Sequence, residues 1–142
     1  MNQKSYRRGR HSVTLLHVYL VFVVKYRRKV LATQIRLRIT EILKELGKKM
    51  DFAVLEIDGE EDHIHLLIEY PPTYSISKLV NHLKGVSSRL LRKEFNLVPH
   101  SDHLWSPSYF AISCGGAPIE KIKQYIQQQG EKPPTAKLKG GA

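Results

Sequence analysis

The sequence predicts one α+β domain with an antiparallel sheet and helices on one of its faces. Four short stretches rich in β-branched and aromatic residues have the composition of strands. Two longer stretches carry apolar residues at helical spacing. These stretches follow one another in the order β-α-β-β-α-β, which is the order of ferredoxin-like, or RRM-like, folds. In that fold the first and third strands are central neighbours, and a further helix can follow.

The first predicted strand is the apolar run from Val13 to Val24. A basic segment with one aromatic ring follows it at once, comprising Lys25, Tyr26, Arg27, Arg28 and Lys29. Cations that contact phosphates and a ring that stacks on bases would suit single-stranded nucleic acid. A solvated strand end is about equally consistent with this pattern. The first four of these residues are therefore candidate DNA contacts.

A helix and a hairpin come next. The helix is predicted from Thr33, which can cap it, to Leu46, with Gly47 as its C-terminal stop. A second strand occupies residues 52–58, and Asp58-Gly59 is a strong signal for a hairpin turn. The hairpin places the third strand beside the second, in the interior of the sheet.

The third strand contains two histidines separated by one residue, His63-Ile64-His65. Side chains alternate along a strand, so both imidazoles face one side while Ile64 faces the other. Neutral imidazole is a common ligand of divalent ions, and two on a rigid strand make half of a metal site. A motif this short is more often an inert pair of histidines than a metal site. Support for a metal site must therefore come from other parts of the chain.

The second helix begins near Ser75 or Ser77, either of which can cap it. It combines an apolar stripe with basic residues, of which Lys84 and Arg89 are further candidate DNA contacts, although such a pattern usually marks only an amphipathic helix. A fourth strand is predicted over residues 108–114, and a last helix over 119–129.

The last helix carries a second candidate group. Tyr125 and Gln129 are four residues apart and therefore lie on one helix face. Two imidazoles and an amide oxygen could hold a divalent ion and leave positions open for a phosphate. A tyrosine nucleophile would give a covalent phosphotyrosyl intermediate, which keeps the energy of the cleaved bond. For a single tyrosine, a boundary position with a solvated hydroxyl is the commoner case. Only in combination with the His pair is Tyr125 a candidate nucleophile and Gln129 a candidate source of the amide oxygen.

Composition limits the class of protein. The 142 residues carry a net charge of +10, which favours a polyanionic partner and makes nucleic acid the default. No apolar run is long enough to span a membrane, and a single cysteine, Cys114, suits a reducing cytoplasm. We expect a basic flexible arm over residues 1–11, one domain over 12–130 and a flexible tail over 131–142.

Several blocks in order give the chain its resemblance to a known family. It resembles the TnpA-type HUH transposases, single-tyrosine enzymes of small bacterial and archaeal insertion sequences, in which HUH denotes His-hydrophobic-His. The matching blocks are Lys25–Leu31, Gly59–Leu67, Leu83–Leu90, Leu104–Phe110 and Tyr125–Gln129. An ordered set of blocks is far more specific than one triplet.

The resemblance implies a ferredoxin-like domain in a homodimer with shared active sites. It implies metal ligation by His63, His65 and Gln129, with Mg²⁺ or Mn²⁺ as the ion, and Tyr125 as the residue joined to a 5′ phosphate. The implied substrate is single-stranded DNA with subterminal hairpins at the element ends, and the implied location is the cytoplasm of a prokaryote, at its nucleoid.

Two alternatives remain open. A domesticated relative would apply the same nicking and joining chemistry to dispersed genomic repeats. A non-catalytic nucleic-acid-binding module of ferredoxin-like shape would instead stack bases on aromatic residues of the sheet face. The third strand offers two histidines on that face, which argues against the second alternative.

Overall fold

The order of strands and helices agrees with the prediction. In a computed structural model, residues 6–99, 103–114, 120, 121 and 124 are described. Within them the elements are β1 (Arg7–Arg8), β2 (Val13–Thr14), β3 (His17–Val23), α1 (Thr33–Met50), β4 (Ala53–Gly59), β5 (His63–Glu69), α2 (Ile76–Glu94) and β6 (Phe110–Ser113). The main sheet is antiparallel with strand order β4-β5-β3-β6. The α+β, ferredoxin-like prediction is confirmed, with the first and third long strands adjacent at the centre.

The two central strands, β3 and β5, are buried on both faces of the sheet, and alternation along them divides their side chains between those faces. One face packs against α1 and α2 and forms the larger core, to which Phe22 on β3 and Ile64 and Leu66 on β5 contribute. The opposite face carries a smaller apolar cluster of Tyr19, Val21, Val23 and Leu67. His63 and His65 share this second face, because their parity on β5 is that of Leu67.

The first helix extends beyond the predicted stop. Gly47 is buried inside α1, and the helix continues to Met50, where Asp51 ends it with a φ of 63°. A Cβ at Gly47 would lie 2.5 Å from the carbonyl oxygen of Phe52. The glycine is therefore needed for a close approach of the returning chain, not for a left-handed cap. The predicted cap at Thr33 is also wrong, because Ala32 is the N-cap and Thr33 is already helical.

The second helix begins as predicted. Ser75 is its N-cap, and the Ser75 hydroxyl accepts a hydrogen bond from the backbone N–H of Lys78 at 3.1 Å. The buried residues Leu79 and Leu83 come from the predicted stripe, and Ser87 is also buried. The helix lies against the core with its basic residues turned to its other sides.

The predicted flexible arm over residues 1–11 overlaps a small two-stranded hairpin, and its mobility stays a prediction. Arg7 and Arg8 pair with Thr14 and Val13 in a small hairpin, so the predicted first strand is split into β2 and β3. Arg7 donates to both carboxylate oxygens of Glu69, at 2.7 and 2.6 Å, and to Asp51 at 2.7 Å. These partners come from distant parts of the chain, so sequence spacing could not predict the tether.

The C-terminal predictions lie largely outside the described residues. Glu120, Lys121 and Gln124 are helical, in agreement with the predicted last helix. Tyr125, Gln129 and the tail 131–142 are not among the described residues. Within the described part of the chain, no helix has the length and hydropathy needed to cross a membrane.

Candidate active site

The two histidines lie on the central pair of strands. His63 is paired with Val23 and His65 with Val21 in the register of β5 against β3. Both side chains are buried, with 3% and 7% of their surface exposed. Their rings are nearly parallel, with an interplanar angle of 24° and centroids 6.2 Å apart. The sheet therefore holds the two imidazoles side by side in a rigid, mostly dry environment.

Each imidazole has one buried nitrogen without a hydrogen-bond partner among the described residues. These atoms are Nε2 of His63 and Nδ1 of His65. Buried polar atoms usually have a hydrogen-bond partner, and leaving one unpaired costs about 1–3 kcal/mol. A divalent ion fits this pair, because it binds the lone pair of a neutral imidazole. No set of three His, Cys, Asp or Glu side chains able to hold a metal occurs in the described residues, so metal binding by His63 and His65 stays a prediction.

Asp62 connects His63 to the end of the first central strand. Its Oδ1 lies 2.9 Å from Nδ1 of His63, and its Oδ2 accepts hydrogen bonds from Nη2 of Arg27 at 2.9 Å and Nε at 3.2 Å. A carboxylate beside Nδ1 favours the tautomer with the proton on that nitrogen, which leaves Nε2 with a free lone pair. Asp62 thus orients the ring of His63, and Arg27 holds Asp62.

The turn that supplies Arg27 has an unusual backbone. Tyr26 and Arg27 have φ values of 59° and 54°, although neither is glycine. Consecutive residues in this region cost about 1–3 kcal/mol each. The backbone N–H of Val24 donates to the carbonyl of Asp62 at 2.8 Å, which fixes the turn beside the histidine strand. The strain is consistent with a turn that is shaped to deliver Arg27 to Asp62.

Electrostatics favour the protonation states that metal binding requires. Burial lowers the pKa of His65, and the nearby carboxylate of Asp58 offsets only part of this effect. Burial by itself would raise the pKa of Asp62, but hydrogen bonds from His63 and Arg27 outweigh it, and the pKa lies below its usual value. Near neutral pH the site therefore combines a neutral His65 with an ionised Asp62.

The predicted DNA contacts near the first strand occupy different environments. Tyr26 is 73% exposed, with Lys25 Nζ 5.2 Å and the Arg28 guanidinium carbon 4.9 Å from the ring centroid. The exposed ring and its adjacent cations lie in the turn after β3, which Val24 and Arg27 attach to Asp62. Arg27 has a structural partner in Asp62, and its contact with DNA stays a prediction.

Lys84 and Arg89 lie on α2, away from the histidine face. Lys84 Nζ donates to the carbonyl oxygens of Ser106 at 2.6 Å and Ser108 at 3.1 Å, which attaches this segment to the helix. Arg89 is exposed on the same helix. Their predicted roles as DNA contacts remain untested, as do those of Tyr125 and Gln129, which lie outside the described residues.

Asp62 is the site residue that sequence reasoning missed. It directly precedes His63, and neighbours in a strand point to opposite faces, so the pattern gave no reason to join them. Asp62 lies in the turn just before β5, where strand alternation does not apply. The one available signal was the Gly59–Leu67 block, which includes this aspartate together with both histidines.

Comparison with known proteins gives a consistent family. The family described as "Transposase IS200 like" matches residues 12–129. The chain is 29% identical to ISDra2 transposase TnpA of Deinococcus radiodurans, over 89% of this chain and 92% of that protein. It is 32% identical to the transposase for insertion sequence element IS200 of Salmonella typhimurium, over 80% of this chain and 76% of that protein.

Solved structures agree with the fold. A transposase from Deinococcus radiodurans superposes with a TM-score of 0.70 at 29% identity, over 87% of this chain and 97% of that one. A REP-associated tyrosine transposase bound to a REP hairpin gives a TM-score of 0.57 at 11% identity, over 84% of this chain and 67% of that one. The second similarity concerns the fold alone.

Proposed function

Because the chain belongs to the family of IS200-like transposases, we propose that it cleaves and rejoins single-stranded DNA through a covalent bond to Tyr125. The observation that carries this proposal is the buried pair His63 and His65, with one nitrogen on each ring that has no hydrogen-bond partner within the described part of the chain. As far as the described residues go, a pair held only for packing would leave these two polar atoms unsatisfied. A pair that holds a metal ion uses both.

The proposed reaction exchanges one phosphate ester for another. The phenolic oxygen of Tyr125 loses its proton and attacks the scissile phosphorus, forming an oxygen–phosphorus bond. The bond from phosphorus to the 3′ oxygen breaks, and that oxygen takes up a proton to leave as a 3′ hydroxyl. A 3′ hydroxyl of another strand then attacks the phosphotyrosine and releases the tyrosine. The number of ester bonds is unchanged, so no nucleotide hydrolysis is needed.

Transposases of this family generally use a divalent metal ion. We propose that His63, His65 and Gln129 hold Mg²⁺ or Mn²⁺, since carboxamide and imidazole are suitable ligands. When bound, the ion would neutralise charge that develops on the scissile phosphate. Asp62 and Arg27 would orient His63 for this role, and burial would keep His65 neutral.

We also propose DNA hairpins at the element ends as the recognised substrate, and a homodimer with shared active sites as the working form. The hairpin is supported by a protein of the same fold that is bound to a REP hairpin. The net charge of +10 is compatible with either the stem or the unpaired flank as partner. The domesticated alternative shares all of this chemistry and differs only in the DNA that flanks the gene.

The alternative of a non-catalytic binding module is less well supported. Modules of this shape stack bases on exposed aromatic residues of the open sheet face. Here Tyr19, on that face, is 3% exposed and lies in an apolar cluster beside the histidines. Its ring packs edge-on against Phe110, with centroids 6.1 Å apart. This aromatic residue is thus used in packing.

A covalent-adduct assay tests the proposal. A labelled single-stranded hairpin with its flanks is incubated with the protein and Mn²⁺, and denaturing electrophoresis detects protein-linked DNA. Tyr125→Phe should bind the hairpin but give no adduct, and His63→Ala should lose both the adduct and Mn²⁺ affinity. Tyr6→Phe and His11→Ala, both at exposed positions, are the matched controls and should behave as the unmodified chain.

Two results would reject parts of the proposal. An adduct that persists in Tyr125→Phe would exclude this tyrosine as nucleophile. Adduct formation that survives a chelator would exclude the metal. Hairpins found beside the gene at fixed distances would support an active element, whereas adducts only with dispersed genomic repeats would support the domesticated alternative.

A further inference from the structure

A basic groove runs along α2, on the side of the molecule away from the histidine face. Its volume is about 730 Å³, and α2 and residues 103–107 form its walls. Its described lining includes the cationic side chains of Lys25, Lys84, Arg89, Arg92 and Lys93. It also includes His103, and none of the described lining residues is acidic. A concave surface lined by positive charge raises the local concentration of negatively charged ligands.

The walls of the groove are fixed to one another. Trp105 donates its indole N–H to the hydroxyl of Ser87 on α2 at 3.0 Å. Lys84 donates to the carbonyl oxygens of Ser106 and Ser108 on the same segment. The Trp105 ring is 4% exposed and packs against Phe22, with centroids 5.8 Å apart. The groove is therefore a built surface and does not depend on a ligand to form.

A glycine lines this groove in the middle of the helix. Gly85 is exposed, and a Cβ placed on it would meet nothing within 4 Å. Glycine inside a helix is less favourable than alanine, and here neither packing nor a positive φ requires it. Close approach of a ligand to the helix backbone would explain why the position lacks a side chain.

The groove begins at the same end of the sheet as the His pair. His63 is paired with Val23, the next residue Val24 forms a bridge with Trp105, and Lys25 after it lines the groove. The backbone N–H of Lys25 also donates to the carbonyl of Leu104 at 2.9 Å. A polymer that reaches the histidines could therefore continue around this strand end into the groove.

We propose that the groove along α2 binds the sugar–phosphate backbone of the DNA substrate, with a phosphate close to Gly85. This inference rests on the proposed function, because it assigns part of the same substrate to a second surface. Most of the described lining is cationic or small and polar, and of its two aromatic side chains Trp105 is buried and His103 is exposed. Contacts of this kind bind phosphates without reading or stacking the bases.

The test uses full-length protein with a chelator and measures binding by fluorescence anisotropy. The two probes are a fully paired hairpin without flanks and an unpaired strand of the same length. Three substitutions at one site separate bulk from charge: Gly85→Ala, Gly85→Gln and Gly85→Glu. Arg89→Gln removes one groove cation, and Lys44→Gln removes one exposed cation of α1 as the matched control.

Phosphate binding predicts a graded result. Gly85→Glu should weaken binding about tenfold or more, Gly85→Gln less, and Gly85→Ala least, because added bulk and negative charge both oppose a phosphate. Arg89→Gln should remove about one phosphate contact. The slope of log affinity against log salt should therefore become less steep by roughly 0.9 on duplex DNA and roughly 0.7 on single strands. Lys44→Gln should leave both the affinity and the slope unchanged.

The two probes identify the source of the phosphates. A loss confined to the hairpin assigns the groove to the stem, a loss confined to the unpaired strand assigns it to the flank, and both results support the proposal. Unchanged affinity and salt slope on both probes in Gly85→Glu and Arg89→Gln would overturn it. Adduct formation by Tyr125 is measured separately, so a missing adduct with an intact groove effect would reject the proposed chemistry alone.

Discussion

Asp62 determines which nitrogen of His63 faces the proposed metal. It lies 2.9 Å from Nδ1, and Nε2 is the nitrogen without a partner in the described structure. Carboxylates that hold the distal nitrogen of a metal-binding histidine typically contribute 10- to 100-fold in metal affinity, an order of about 1.4–2.7 kcal/mol. The ion pair with Arg27 adds to this by fixing the carboxylate.

The first prediction follows from this geometry. Asp62→Asn should weaken Mn²⁺ binding about 10- to 100-fold, because a neutral amide holds the imidazole tautomer less firmly. Arg27→Gln should have a smaller effect in the same direction, since it acts through Asp62. Glu61→Gln is the control, because Glu61 is exposed and next to Asp62 in the chain. Mn²⁺ titration followed by electron paramagnetic resonance measures the affinity, and an unchanged value in Asp62→Asn would exclude the positioning role.

Lys84 gives a second prediction at the residue scale. Burial lowers the pKa of Lys84 from 10.5 to about 8. Between those two pH values the unfolded chain binds more protons than the folded protein, so this residue makes the free energy of unfolding rise with pH. Below about pH 8 both states are protonated and the contribution is constant.

Lys84→Met should remove the rise in the free energy of unfolding with pH that is due to Lys84. Urea unfolding of both proteins between about pH 8 and 10 should show the unmodified chain gaining stability relative to the variant as pH increases. Other titrating groups are common to both proteins and cancel in the difference. Parallel stability curves would show that the pKa of Lys84 is the same in the folded and unfolded states.

Each of the two long helices contains a glycine, and the surroundings of the two glycines are opposite. Gly47 is buried in α1, where a Cβ would lie 2.5 Å from the carbonyl oxygen of Phe52 and 3.1 Å from a ring carbon of the same residue. Gly85 in α2 has open space around the position of a Cβ. Only the first glycine is required by the packing of its helix.

The third prediction compares these two elements directly. Gly85→Ala should raise the free energy of unfolding by about 0.5–1 kcal/mol, because alanine is the better helix former. Gly47→Ala should lower it by about 1–3 kcal/mol, because the returning chain must shift away from the new methyl group. Urea unfolding measures both variants. Equal effects of the two substitutions would contradict the conclusion that packing requires Gly47 but not Gly85. A higher free energy of unfolding in Gly85→Ala would show that the fold does not need a glycine at this position.

At the scale of the whole molecule, the metal should couple to folding. A ligand that binds only the folded state stabilises it by about 2.7 kcal/mol at one hundred times its dissociation constant. Mn²⁺ should therefore raise the unfolding temperature of the unmodified chain, and a chelator should reverse the change. His65→Ala should lose the difference between the two conditions, whatever its own stability. A metal-dependent shift that persists in His65→Ala would place the ion elsewhere.

The architecture was largely predictable from the sequence, for a local reason. Helical periodicity shows which face of α1 and α2 is buried, and the two central strands are largely apolar runs because both of their faces are buried. The predicted hairpin between β4 and β5 is observed, but Asp58 and Gly59 lie inside β4, where they pair with His65 and Ile64, and the turn comes after them at residues 60–62. The end of α1 was mispredicted because Gly47 is required by the close approach of Phe52. That contact forms only when the chain folds back after the helix.

The sequence by itself determined the family, the order of elements and the His pair, because motifs and periodicity are properties of neighbouring residues. Only the tertiary structure decided that Asp62 and Arg27 orient His63, and that Gly85 opens into a basic groove. Arg27 lies 35 residues from Asp62, and the walls of the groove come from separate segments. Contacts of this kind are set by packing of the whole sheet and its helices, and no local spacing in the chain encodes them.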